Sequence, residues 1–270
     1  MRRHSKMILS FLALTAAGAL QLATVAHAQL PGVTKDEFKC ESLTGKSLSK
    51  FVGSKSKCVQ KCLTTARKTS GPYTGCFAPY TDPATNACIT APLKGAESKA
   101  RASIVKACTP DCPECYAPTV CSTGEPLVSS TETQLDGFGL LVYCKEAGAS
   151  TPSSAEAKCE DTVGKTLVKF VGSKSKCYDK CNKNMFAGKI PPGSCDPPTP
   201  TDVATQGCIA LAESKAAAGI DKLCSAAGAN PSCYGTSLDS GAEWVAVAES
   251  AVDAQTPVVA CGSPSGAFVD

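Results

Sequence analysis

Cys112-Pro113-Glu114-Cys115 has the spacing of a thiol–disulfide exchange centre, in which one sulfur attacks and the other resolves. With Cys108 and Cys121 beside it, the same stretch could instead offer four thiolates to a metal. Ser47-x-x-Lys50, Ser54-x-x-Lys57 and Ser173-x-x-Lys176 repeat the Ser–Lys spacing of penicillin-recognising enzymes, but the companion S-D-N and K-T-G motifs are absent. Gly45-Lys46-Ser47 and Gly164-Lys165-Thr166 imitate the end of a phosphate loop, yet Cys40 and Cys159 stand where its first glycine is required.

The setting of these residues decides among them. Arg2, Arg3 and Lys6 precede an apolar run from Met7 to Leu20, and Ala26-His27-Ala28 is a small-x-small cleavage site, so residues 1–28 read as an export signal. Cleavage removes three positive charges and both histidines, His4 and His27. The remaining chain carries 24 basic and 24 acidic residues and no His. That excludes Ser-His-Asp and Cys-His activation and His-ligated zinc or haem. No later stretch is long enough to span a membrane. In an exported chain, 18 cysteines read as nine disulfides.

An internal repeat organises those cysteines. Leu48 to Cys62 (LSKFVGSKSKCVQKC) returns as Leu167 to Cys181 (LVKFVGSKSKCYDKC), 119 residues later. Cys40, Cys58, Cys62 and Cys76 match Cys159, Cys177, Cys181 and Cys195. Cys88, Cys108, Cys115 and Cys144 match Cys208, Cys224, Cys233 and Cys261. Cys112 and Cys121 are extra in the first copy and are expected to pair with each other. The expected layout is a module over 29–146, a flexible linker over 147–157 and a second module over 158–270.

Apolar residues at steps of three and four place Leu48, Phe51, Val52, Val59 and Leu63 on one stripe of a helix from about residue 46 to 67. A second helix begins at Asp82-Pro83, where an N-cap is followed by proline, and the extra residues around Pro92 to Gly95 should break or kink it. Its counterpart runs unbroken from Asp202 to Cys224. Packed as an antiparallel hairpin, the two helices suggest Cys40 with Cys108, the four cysteines Cys58, Cys62, Cys76 and Cys88 paired among themselves, and Cys115 with Cys144. Leu140 to Tyr143 and Pro257 to Ala260 suggest short strands. The fold class is α-rich: two tandem disulfide-stapled helical-hairpin modules, each with a small irregular or β C-terminal element.

Lys46, Lys50, Lys57 and Lys61 fall at steps of four and seven on the first helix, and Lys165, Lys169, Lys176 and Lys180 repeat them, so each copy carries a lysine stripe opposite its apolar face. Asp111, Glu114, Glu125, Glu132 and Asp136 lie in a stretch without basic residues, as do Asp239, Glu243, Glu249 and Asp253. The stripes are expected either to be solvated or to dock an acidic surface: the chain's own acidic lobes, another copy, or an anionic envelope polymer. Nucleic acid is a poor candidate, since arginine is scarce and no recognition motif accompanies the lysines. Trp244 is expected in the core.

The unit F-V-x-x-K-x-K-C-x-x-K-C over Phe51 to Cys62 and Phe170 to Cys181 resembles cysteine-rich repeats in uncharacterised secreted bacterial proteins. The resemblance spans Cys40 to Cys261 and implies no activity or catalytic residue. The expectation is a secreted or periplasmic, non-enzymatic structural or binding protein without cofactor or metal. The alternative is an envelope enzyme, either a thiol oxidoreductase using Cys112 and Cys115 or a hydrolase whose carboxylates converge only in space.

Overall fold

The computed structural model describes residues 33–109, 111–225 and 228–260. The export-signal reading of residues 1–28, and Cys261, lie outside them. The described chain is helical, with no strand among the described residues.

Helix α1 (Lys35–Thr69) starts earlier than periodicity alone suggested, because Thr34 and Glu37 form a capping box: the Thr34 hydroxyl accepts from the Glu37 N–H and the Glu37 carboxylate from the Thr34 N–H. Helix α2 (Pro83–Thr90) opens on Asp82, whose carboxylate accepts from the Thr85 N–H. The break before α3 (Ala96–Cys108) falls at the expected Pro92–Gly95 insertion. A side chain at Gly95 would come within 2.6 Å of the Ala91 and Ile89 backbone. Helices α4 (Pro118–Thr123), α5 (Glu125–Val142) and α6 (Cys144–Ala147) complete the first half.

The second half contains α7 (Ser154–Phe186), capped by an equivalent box of Ser153 and Glu156, α8 (Val203–Cys224), unbroken as expected, and α9 (Gly241–Ala260). The segments read as strands are the ends of α5 and α9. Leu127, Val128, Thr131 and Val142 on α5, and Trp244, Val245, Ala248 and Val252 on α9, are buried at helical spacing. A four-residue apolar run fits a strand or a helix equally; the longer period decides.

Disulfides fix the hairpins much as expected. Cys40–Cys108 joins the ends of α1 and α3, Cys58–Cys88 and Cys62–Cys76 close the other end, and Cys112–Cys121 pairs the extra cysteines. Cys159–Cys224, Cys177–Cys208 and Cys181–Cys195 repeat the first three on α7 and α8. The expected Cys115–Cys144 bond does not form. Cys144 is bonded to Cys233, 89 residues away in the other half.

That bond overturns the picture of two self-contained modules, and the packing agrees with it. Helices α1 and α7 run antiparallel: Phe38 stacks on Phe186 with ring centroids 4.4 Å apart, the Ser42 hydroxyl donates to Asp179 at 2.5 Å, and near the opposite end Gln60 donates to the Asp161 carbonyl. Asp161 and Gln60 are the repeat equivalents of Ser42 and Asp179, so this contact is self-complementary across the repeat. Helix α5 packs on α1 and α7, and α9 on α7, α8 and α1. One core cluster joins Val59, Leu63 and Ile89 of the first half to Phe170, Ile220 and Trp244 of the second. Each half alone would leave that apolar surface in water. The expected linker is also shorter than 147–157, since α6 ends at Ala147 and α7 begins at Ser154.

Candidate ligand cavity and charged clusters

An elongated cavity of about 630 Å³ lies between α1, α5, α7 and α9. Its wall is largely apolar, with Leu48, Val52, Leu135, Phe138, Leu167 and Val168 prominent. The size is that of a small-molecule site. Small residues keep it open. Gly139 on α5 and Gly172 on α7 both line it, and a Cβ at either would meet nothing within 4 Å.

All eight stripe lysines are exposed, as expected from a face opposite the apolar one. Three of them, Lys46, Lys50 and Lys176, line the cavity and therefore sit at its mouth. Lys46 approaches Asp179 at 3.7 Å, while Lys50 and Lys176 have no ion-pair partner among the described residues. Lys50 and Lys57 also meet Lys99 of α3 around a second depression of about 400 Å³, whose wall contains Ser47, Ser54 and Ser103 and no acid. Lys61, Lys165, Lys169 and Lys180 line neither space.

The acidic stretches meet a lysine that the stripe did not contain. Lys55, 2% exposed, points inward, with its Nζ 2.7 Å from Glu132 and 2.6 Å from Asp136 of α5. Its repeat equivalent Lys174, fully buried, reaches Glu249 at 2.5 Å and Asp253 at 2.7 Å on α9. A tyrosine completes each cluster. Tyr80 donates to Asp136 and lies under Lys55, with the ammonium 5.0 Å from its ring, and Tyr178 donates to Asp253 and lies 5.9 Å from Lys174. A further carboxyl, Glu97 or Glu213, is pushed up to about 7 by burial and then by its neighbour Glu132 or Glu249.

Sequence carried a signal for these clusters. Lys55 falls three residues after Val52 and four before Val59, inside the apolar stripe, and Glu132/Asp136 and Glu249/Asp253 are both four apart on one helix face. A charge at a core-facing position requires a buried partner.

Two further acid groups are unusual. Glu41 is buried in the cavity wall with no hydrogen-bonding or ion-pair partner among the described residues. Burial, and then the nearby Glu37 carboxylate, push it up to about 8. Its repeat equivalent Glu160, fully buried, is instead 3.5 Å from Arg67, which also binds Glu146 and Asp161 and ties α1 to α6 and α7. Burial and then Glu146 raise Glu160 to about 9.

The thiol chemistry considered for Cys112 and Cys115 has no thiol to use. Cys112 is bonded to Cys121 rather than to Cys115, Cys115 is also disulfide-bonded, and no cysteine is free among the described residues. Cys40, Cys108 and Cys121 converge, as do Cys144, Glu160 and Cys233, but all these sulfurs are spent in disulfides and offer no thiolate to a metal. No described helix is long and apolar enough to cross a membrane. No family model, no curated protein and no solved structure matches the chain.

Proposed function

We propose that this is a secreted, non-enzymatic binding protein, built from a duplicated disulfide-stapled helical unit, whose ligand occupies the cavity between α1, α5, α7 and α9. The cavity is the observation that carries the reading: it is large and mostly apolar, and helix glycines leave part of its wall bare. Disulfides in every hairpin suit an oxidising compartment. The oxidised protein should produce a saturable rise in N-phenyl-1-naphthylamine fluorescence, which Gly172→Leu should abolish without changing the far-ultraviolet circular dichroism. Absence of saturable binding by the wild-type chain would discard the proposal.

A second reading concerns the lysine faces, and the acid-free depression lined by Lys50, Lys57 and Lys99 favours it. Glu132, Asp136, Glu249 and Asp253 are engaged by Lys55 and Lys174, and among the described residues Lys46 alone of the stripe lysines has an ion-pair partner, Asp179. The stripes then attract an anionic envelope polymer. Retention on dextran sulfate that salt removes, and that Lys57→Glu with Lys99→Glu weakens, tests this; retention unchanged by the substitutions refutes it.

A further inference from the structure

We propose that the ligand is a single-chain amphiphile with a carboxylate head, a long-chain fatty acid being the simplest case, with its chain along the apolar wall and its head at Lys50 and Lys176. This rests on the reading that the cavity is a ligand site.

Shape comes first. The α1 wall runs from Phe38 to Val59, a distance of roughly 32 Å at the helical rise of about 1.5 Å per residue. A space so long for its volume is a channel and accommodates a chain better than a compact ring system. Gly139 and Gly172 each cost helix stability, about 1 kcal/mol relative to alanine in a helix interior. At both positions a Cβ would project into open space, so the missing side chains widen the channel at two facing helices.

Charge fixes the head. Among groups lining the cavity, Asp136 is held by Lys55, and Asp179 by Lys183 and Lys46. Glu41 has no cation, and burial, then the nearby Glu37, raise its carboxyl to about 8, so the protonated form predominates at neutral pH. Among the described residues, Lys50 and Lys176 are therefore the cavity-lining charges without an ion-pair partner, and both are exposed. Both ammonium groups line the cavity, so an anion within it is attracted to their unpaired charge and a cation is disfavoured. Lysine acts as a point charge without the planar fork of arginine, which suits a small carboxylate head.

The test is displacement of N-phenyl-1-naphthylamine by palmitate, hexadecanol and hexadecyltrimethylammonium at pH 7, each below its solubility or aggregation limit. Palmitate should displace the probe at a concentration about tenfold lower than hexadecanol, the ratio two exposed charge contacts would give. In Lys50→Gln/Lys176→Gln, palmitate and hexadecanol should displace the probe at equal concentrations, each measured against that variant's own probe affinity. Equal displacement by palmitate and hexadecanol, or tighter displacement by the ammonium, overturns the assignment while leaving the cavity reading standing. Failure of the wild-type protein to bind the probe defeats the cavity reading itself.

Discussion

The Nζ of Lys55 lies 2.6 Å from the Oδ1 of Asp136, and the lysine is almost wholly removed from water. This pair takes a charge from the middle of the apolar stripe of α1 and anchors α5 to it. Lys174 and Asp253 do the same for α9 on α7. The pairs set the position of the two helices that roof the cavity.

Replacing Lys55 or Lys174 should therefore be costly. Lys55→Met leaves Glu132 and Asp136 facing each other with their cation gone, and stability should fall by about 3 kcal/mol, the low end for a broken buried pair because both acids keep some contact with water. Lys61→Met, on the exposed face, should stay within about 0.5 kcal/mol. Urea unfolding midpoints compare the two; equal losses would mean that the buried cluster does not hold α5.

Stability should decrease as pH rises from about 5 to 9. Glu41, Glu97, Glu160 and Glu213 are all raised in the fold, to between about 7 and about 9, against an ordinary carboxyl near 4.5. The folded chain thus binds more protons than the unfolded chain in that window. The stabilisation is complete below the unfolded value and disappears as pH passes through the folded ones. Glu41→Gln, uncharged at every pH, should flatten the decline of the thermal midpoint. An unaltered slope in that variant would show that Glu41 ionises normally.

In a Cys115→Ser background, a protease site inserted at the exposed Ser150–Thr151 turn should yield a nicked protein that runs as one band without reductant and as two with it, because Cys144–Cys233 spans the cut. Separation of the fragments before reduction would exclude the bond between the halves.

Two glycine substitutions should have opposite signs. Gly139→Ala places a methyl in open space within a helix and should stabilise by about 0.5–1 kcal/mol. Gly241→Ala would drive a Cβ into the Ala217 carbonyl oxygen, where α9 starts against α8, and should destabilise by more than that gain. Thermal midpoints of both variants check the contrast.

The hairpins were legible in the sequence because cap residues, helical periodicity and cysteines four apart are local signals: Asp82 with Pro83, the Leu48–Leu63 stripe, and Cys58 with Cys62 all fell where expected. What joins the hairpins was not. The repeat favoured equivalent bonds in each copy, and nothing local distinguishes Cys115–Cys144 from Cys144–Cys233. The α1–α7 contact depends on two distant helices meeting. The eight stripe lysines were correctly placed on the surface, but their periodicity drew attention from Lys55 and Lys174, whose misfit with that period marked them as buried. Leu140 to Tyr143 was too short a run to reveal its helix.

The bond between Cys144 and Cys233 also imposes an order on assembly. Cys144 is made 89 residues before its partner, so the nascent first half must carry an unspent sulfur past cysteines that have already been synthesised. Until residue 233 arrives, any nearer cysteine can capture it, and correct maturation then requires reshuffling. Yield of native protein should accordingly depend on a disulfide isomerase rather than on an oxidant alone.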